Sequence, residues 1–130
     1  MEGAERAVAT ASGMAAIMSV CFALLEQGDH IVCSRSVFGT TNVLLEKYVR
    51  KFGVDISFVE LGNYESWSKA LKANTRFLFL ETPSNPLLSI IDIEAIAALA
   101  KKEGIVSMID NTFASPINQT PLDLGFDLSI

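Results

Sequence analysis

Short apolar runs alternate along this chain with longer amphipathic patterns, and this alternation constrains the possible fold more than any other feature. The apolar runs, typical of buried strands, cover residues 30–34, 54–59, 76–80 and 105–109, and another begins at residue 126. Helical patterns lie between them, at residues 13–26, 41–52, 64–73 and 93–103. Alternation of this kind is typical of βαβ units. It predicts an α/β fold with a mostly parallel sheet and helices on both of its faces.

The helix at residues 93–103 has the clearest signals at both ends. Asp92 is a good N-cap, and Gly104 favours a C-terminal stop. Between them, apolar residues recur at the spacing of one helix face, namely Ile93, Ile96, Ala97 and Ala100. The pattern predicts a helix packed on the sheet through this stripe.

Composition narrows the classes of protein to which the chain can belong. Its 130 residues correspond to one domain or part of one. Half of them are hydrophobic and the mean hydropathy is +0.37, which predicts surface covered by further chain or by a subunit partner. The net charge of −5, without a basic cluster, argues against nucleic acid as a partner. Cys21 and Cys33 lie in apolar segments, which predicts reduced, buried thiols and a cytoplasmic location.

One uncharged segment, residues 7–25, approaches the length of a membrane span. Polar or small residues interrupt it, however, and the preceding MEGAER lacks the positive flank of a signal peptide. We therefore interpret the segment as a buried helix and expect no membrane partner.

Four polar or glycine-bearing stretches lie beside the ends of predicted elements: ATASGMAAI, SVFGTT, ETPSNPLL and IDNTF. In the first stretch, Ser12 and Gly13 open a helix. The free N–H groups of a first helical turn form an anion site. The alternative is that Ser12 is only an N-cap.

Three side chains follow predicted strands, and each has two interpretations. Phe38 either stacks on a planar ligand or belongs to the core. Asn85 either presents its amide to a ligand or bonds to its own turn. Asp110 either caps the next turn or holds a cationic group. The single histidine, His30, is expected only to begin a strand, and the absence of Cys/His spacing predicts no metal site.

Taken together, these groups suit one kind of ligand. Ligands of open α/β sheets bind at the carboxyl ends of the strands, where we expect these residues to meet. A helix N-terminus suits a phosphate, an aromatic face suits a flat ring, and a carboxylate suits a protonated ring nitrogen. Pyridoxal 5'-phosphate has all three features.

The ordered motifs SGM, FGTT, ETPSNP and IDNTF are similar to those of the Cys/Met-metabolism family of pyridoxal-phosphate enzymes. The resemblance covers essentially the whole chain. It implies the large cofactor-binding domain of the aspartate-aminotransferase-like fold, also called fold type I. It further implies that Ser12, Gly13 and Met14 hold the cofactor phosphate.

The resemblance also assigns residues to the cofactor ring. It implies that Asn85 contacts the 3-oxygen, that Asp110 pairs with the pyridine nitrogen and that Phe38 stacks on the ring. Thr112 is implied to line the same face. Most of the family has a tyrosine where Phe38 stands, and the missing hydroxyl resembles the sulfhydrylase branch.

That branch implies γ-replacement, in which O-succinylhomoserine and sulfide give homocysteine for methionine biosynthesis. A homo-oligomer, expected to be a tetramer, would carry it out. Cystathionine γ-synthase and γ-lyase activities stay open as alternatives, as does a non-catalytic interaction module. A Rossmann-type nucleotide module would need a G-x-G-x-x-G loop, which the sequence lacks.

The resemblance also implies that important segments lie outside these residues. The Schiff-base lysine of the family occurs in an S-x-T-K motif that is expected beyond Ile130. Residues 1–130 are therefore expected to form a partial pyridoxal-phosphate-binding large domain. They would lack the N-terminal arm, the lysine segment and the C-terminal domain. We expect no catalytic residue among them and no activity from the 130 residues alone.

Overall fold

One parallel sheet organises residues 2–130, the part of the chain described by this computed structural model. Its strands are β1 (His30–Ser34), β2 (Asp55–Val59), β3 (Thr75–Glu81), β4 (Val106–Asp110) and β5 (Leu128–Ser129). Their spatial order is β2-β1-β3-β4-β5, and every neighbouring pair is parallel. The predicted α/β class and parallel sheet are confirmed.

The helices lie between the strands, as the alternation predicts. They are α1 (Gly13–Leu24), α2 (Gly39–Val43), α3 (Tyr64–Ala70), α4 (Ile93–Glu103) and α5 (Ser115–Asn118). Helix α4 has the predicted bounds, and the Asp92 carboxylate accepts a hydrogen bond from the Ala95 N–H at 3.1 Å. Its predicted stripe is buried. The short helix α5 was not predicted, because its four residues are too few to show a period.

The prediction of one regular helix at residues 41–52 is wrong. After α2 the chain winds as a π-helix at Leu44–Tyr48 and then as a 3-10 helix at Val49–Phe52. This irregular path keeps both Leu45 and Val49 in the core. Helical periodicity in the sequence does not distinguish such changes of winding.

Two predicted helices end earlier than their patterns indicate. Helix α1 ends at Leu24 because the chain turns, and the Glu26 N–H donates to the Asp29 carboxylate at 2.8 Å. Helix α3 ends at Ala70, and the Lys72 N–H donates to the Thr75 hydroxyl at 2.8 Å. Local side-chain acceptors of this kind compete with further helical hydrogen bonds.

Among the helices of residues 2–130, none combines the length and the apolar character needed to cross a membrane.

Strand β1 lies between β2 and β3, so the chain reverses its direction of travel across the sheet at this point. Parallel crossover connections are right-handed. The connection from β1 to β2 therefore lies on one face, and those through α3 and α4 lie on the other. The two central strands, β1 and β3, are buried between these layers, and residues 31–33 and 77–80 have no exposed surface.

His30 begins β1 as predicted, at the amino ends of the strands. Its side chain links β1 to β2 and to β3. Its Nδ1 lies 2.8 Å from the Thr75 hydroxyl of β3, and its Nε2 lies 2.9 Å from the Ser57 hydroxyl of β2. The Thr75 hydroxyl accepts from the Lys72 N–H, so it can donate its own proton to Nδ1. This arrangement suits a neutral imidazole. Burial lowers the pKa of His30, and the charge of Lys72 lowers it further.

We predict that His30 makes the protein less stable as the pH falls below about 6.5, the ordinary histidine pKa. Between the lowered pKa of the folded state and that of the unfolded state, only the unfolded chain binds the proton. Acid therefore draws the equilibrium toward unfolding, by up to about 1.4 kcal/mol per pH unit. Urea unfolding between pH 7 and pH 5 should show a steeper loss of stability for the native sequence than for His30→Gln. Equal slopes would contradict a buried, neutral His30.

Candidate functional site

A cavity of about 300 Å³ opens at the carboxyl ends of β1, β3 and β4. It lies where β1 and β3 adjoin and the chain reverses direction, which is the general place for ligands in open α/β sheets. All of the residues predicted from the sequence line it, namely Ser12, Gly13, Met14, Phe38, Asn85, Asp110 and Thr112. Four further residues line it that sequence reasoning did not select, namely Ile17, Thr41, Glu81 and Phe113.

The first turn of α1 forms one wall of the cavity. Ser12 is the N-cap of this helix, and its hydroxyl accepts a hydrogen bond from the Ala15 N–H at 3.1 Å. The N–H groups of Gly13 and Met14 fall in the first turn, where no intrahelical acceptor exists. A Cβ added to Gly13 would meet no atom within 4 Å, so the space beside it is open. The capping interpretation of Ser12 is confirmed, and the helix start also faces the cavity.

Helix α2 packs beside the start of α1. Thr41 is buried, and its hydroxyl lies 3.8 Å from the Met14 sulfur, to which it donates. Ile17, one turn further along α1, is also buried. The contact between Thr41 and Met14 holds the start of α1 against α2.

Phe38 lies in the loop after β1, and 45% of its surface is exposed. This exposure is incompatible with the interpretation of Phe38 as a core residue. The Phe38 N–H donates to the Glu81 carboxylate at 2.6 Å, which ties the loop to the end of β3. A flat, accessible ring is thus anchored through its own backbone.

Glu81 is the most informative residue that sequence reasoning missed. It is 5% exposed, and its second carboxylate oxygen accepts from the Asn85 N–H at 3.2 Å. Burial raises the pKa of Glu81 and the charge of Asp110 raises it further, while the hydrogen bonds from Phe38 and Asn85 act in the opposite direction. The signal was present in ETPSNP, where an acidic residue directly continues a buried apolar run.

Asn85 follows β3 in a loop with two cis peptide bonds, Thr82–Pro83 and Asn85–Pro86. Its backbone N–H is held by Glu81, as described above. Within residues 2–130 its side-chain amide makes no hydrogen bond, whereas a turn asparagine bonding to its own loop would make one. The amide is therefore available to a ligand in the cavity.

Asp110 ends β4, directly opposite Glu81 in the parallel register of β3 and β4. One of its carboxylate oxygens, Oδ1, accepts from the Thr112 N–H at 3.0 Å and so caps the following turn. The other oxygen, Oδ2, has no hydrogen-bond partner among residues 2–130. Asp110 therefore caps the turn and retains an oxygen for a cationic group. Thr112 and Phe113 complete this side of the cavity and are both exposed.

The cavity carries negative charge, from Glu81 and Asp110, and no lysine or arginine of residues 2–130 lines it. Lysines 47, 51, 69, 101 and 102 lie in helical segments. Lys72 does not; it lies after α3 and forms an ion pair with Asp55. Positive potential at the cavity therefore comes from the start of α1.

Comparison with known proteins gives a consistent result. The chain matches the family model described as "Cys/Met metabolism PLP-dependent enzyme", PLP being pyridoxal phosphate, over residues 1–130. It is 46% identical over 130 residues to the O-succinylhomoserine sulfhydrylase of Pseudomonas aeruginosa, covering 100% of this chain and 32% of that protein. It is 43% identical over 128 residues to a cystathionine beta-lyase of Bacillus subtilis, covering 98% and 33%. The chain thus spans about a third of the length of these curated relatives.

A solved structure is similar in fold. The cystathionine gamma-lyase from Lactobacillus plantarum complexed with L-serine superimposes with a TM-score of 0.87 at 45% identity, covering 91% of this chain and 31% of that chain. The fold predicted from the sequence, the fold type I class, is confirmed. Pyridoxal phosphate is confirmed as the cofactor of the family.

The residues of the cavity fit this cofactor. The volume of the cavity, about 300 Å³, is at the lower end of the range for small-molecule sites, roughly 300–1,000 Å³. Free N–H groups suit the phosphate, an exposed aromatic face suits the ring, and an unpaired carboxylate oxygen suits the protonated ring nitrogen. These three kinds of group come from α1, from the loop after β1 and from the end of β4, and all of them line the same cavity.

Proposed function

Since the chain belongs to the family of pyridoxal-phosphate-dependent enzymes of cysteine and methionine metabolism, we propose that it is the cofactor-binding part of a longer enzyme of γ-replacement. In this reaction the bond between Cγ of O-succinylhomoserine and its ester oxygen breaks, and succinate leaves with that oxygen. A bond between Cγ and sulfide forms and gives homocysteine. The Schiff-base lysine and the C-terminal domain would come from the remainder of the enzyme.

The observation that carries the proposal is the convergence of α1, Phe38, Asn85 and Asp110 on one cavity. Bound pyridoxal phosphate supplies an electron sink for negative charge at the substrate Cα. Within this chain, the first turn of α1 would bind the phosphate and the Phe38 ring would stack on the pyridine ring. The Asn85 amide would donate to the 3-oxygen. Thr112 would line the same face.

Asp110 has the most direct part in the chemistry. Its Oδ1 is occupied by the Thr112 N–H, so the carboxylate is fixed in orientation. The free Oδ2 would accept a hydrogen bond from the protonated ring nitrogen. The negative charge of the carboxylate would keep that nitrogen protonated. Because a protonated ring accepts negative charge better than a neutral one, Asp110 would accelerate proton removal from the substrate Cα.

Phe38 distinguishes between reactions of this family. Its ring lines the cavity and carries no hydroxyl, so it cannot donate a proton to a leaving group. This feature favours replacement of the succinyl group at Cγ over a lyase reaction that depends on a phenol at this place. Cystathionine γ-synthase and γ-lyase activities remain the alternatives to the sulfhydrylase.

We also propose a homo-oligomer, a tetramer in the longer enzyme, and a cytoplasmic location. Several large apolar side chains are largely exposed in residues 2–130, among them Val8, Leu87, Ile90 and Ile117. Further chain or a second subunit would cover them. Both cysteines are free and buried, which is compatible with a reducing compartment.

Asp110→Asn in the longer enzyme should lower turnover of O-succinylhomoserine with sulfide by about 10²–10³-fold, as for loss of one well-placed electrostatic group. The substitution keeps the size of the side chain and removes its charge. Asp92→Asn is the matched control, since Asn is an equally good N-cap for α4 and lies outside the cavity. If Asp110→Asn and the control have the same rate, Asp110 does not have this role.

Phe38→Tyr should preserve stacking and increase elimination relative to replacement, because an acid is restored beside the leaving group. The ratio of 2-oxobutanoate to homocysteine, measured in the longer enzyme, reports the change. Phe52→Tyr adds the same hydroxyl to an exposed ring that does not line the cavity and serves as the control. An unchanged product ratio in Phe38→Tyr would show that the missing hydroxyl does not select the reaction.

A further inference from the structure

The carboxylate of Glu81 joins two loops that carry separate parts of the site. One oxygen accepts from the Phe38 N–H at 2.6 Å, in the loop after β1. The other accepts from the Asn85 N–H at 3.2 Å, in the loop after β3. Both acceptors belong to one rigid, planar group, so the two backbones are held at a fixed separation.

This link depends on the negative charge of Glu81. An ionised carboxylate only accepts hydrogen bonds, and both of its oxygens accept equally well. Once protonated, the group gains an O–H donor, and the oxygen that carries it no longer accepts as well. Glutamine has a similar shape, but its NH2 group would face one of the two N–H groups. Only the charged form therefore offers a full acceptor to both the Phe38 N–H and the Asn85 N–H.

We propose that Glu81 is a positioning residue whose ionised carboxylate sets the separation between the Phe38 ring and the Asn85 amide, and thereby shapes the site for the cofactor ring. This inference rests on the proposed function and adds a residue to it. Glu81 acts through the two backbones that it holds. With Glu81 ionised, the Phe38 ring and the Asn85 side-chain amide would already be in position before the cofactor binds.

The surroundings of Glu81 make its charge sensitive to pH. The titratable groups that face it are Asp110 on β4 and the buried Cys33 thiol on β1. Burial and the charge of Asp110 raise the pKa of Glu81, and no lysine or arginine of the described chain lines the cavity to oppose them. The link between the loops should therefore be lost on acidification at a higher pH than an ordinary glutamate would require.

The first test follows the two N–H groups themselves, in the protein without cofactor. In spectra of protein labelled with ¹⁵N-phenylalanine and ¹⁵N-asparagine, the amide signals of Phe38 and Asn85 should shift with pH together. Their common midpoint should lie above about 4.3, the ordinary glutamate value. Asp110→Asn should lower that midpoint, and Glu81→Gln should remove the shared shift. Two different midpoints, or a shared shift that persists in Glu81→Gln, would overturn the link.

The second test asks whether the link serves the cofactor. In the longer enzyme, the dissociation constant of pyridoxal phosphate is measured against pH for the native sequence, Glu81→Gln and Glu60→Gln. Glu60 is the matched control because it also lies at the carboxyl end of a strand, directly after β2. Unlike Glu81, it is exposed and does not line the cavity. At neutral pH, Glu81→Gln should bind about tenfold more weakly, as for loss of one charge-assisted hydrogen bond, and Glu60→Gln should match the native protein.

The pH profile separates positioning from a general loss of structure. The native affinity should decrease with the midpoint that the amide signals show, and Glu81→Gln should lack that step. If Glu81→Gln is poorly folded, Asp110→Asn decides instead, because it should lower the midpoint of the affinity step and that of the amide signals together, whereas the step from the cofactor phosphate, whose second pKa is about 6, should stay in place. Disagreement overturns the role of Glu81 while leaving the proposed function intact. Failure of the native protein to bind the cofactor at any pH overturns the proposed function, and the positioning role with it.

Discussion

The parallel pairing of β1 with β3 at the centre of the sheet is the constraint on which the rest of the structure depends. Both strands are buried, and the chain travels outward from them in opposite directions. The loops that follow these strands must therefore separate, and a cavity is left between them. The start of α1 and the end of β4 close the remaining sides. The chemistry of the site thus results from topology first and from individual side chains second.

Charge is distributed unevenly around this cavity, and the distribution suits its ligand. Two carboxylates, Glu81 and Asp110, end adjacent strands, while the start of a helix provides the opposite polarity across the cavity. A cofactor with an anionic phosphate at one end and a cationic ring nitrogen at the other can be oriented by these two regions alone. The two carboxylates have different surroundings, since Glu81 is buried and bonded to backbone at both oxygens while Asp110 keeps one oxygen free.

Much of this arrangement could be predicted from the sequence, because its signals are local. Alternating periodicity indicated the strands and α4, and polar or aromatic residues at or shortly after the carboxyl ends of strands indicated Phe38, Asn85 and Asp110. The irregular winding after α2 could not be predicted, since α-, π- and 3-10 turns share similar apolar spacing. Glu81 was missed for a different reason. An acidic residue that continues the apolar run of β3 was a signal for its burial, but not for its partners, which are backbone N–H groups of two loops, one of them 43 positions away in sequence. The order of side chains along the chain does not show such bonds.

The central claim is that one ligand contacts α1, Phe38, Asn85 and Asp110 at the same time. A crystal structure of the protein with pyridoxal phosphate tests this most directly. We predict the phosphate at the N–H groups of Gly13 and Met14, the ring against Phe38 and the ring nitrogen within hydrogen-bond distance of the free Asp110 oxygen. Pyridoxal phosphate bound instead in the apolar groove beside Phe22 and Phe52, or with its ring nitrogen directed away from Asp110, would contradict the claim.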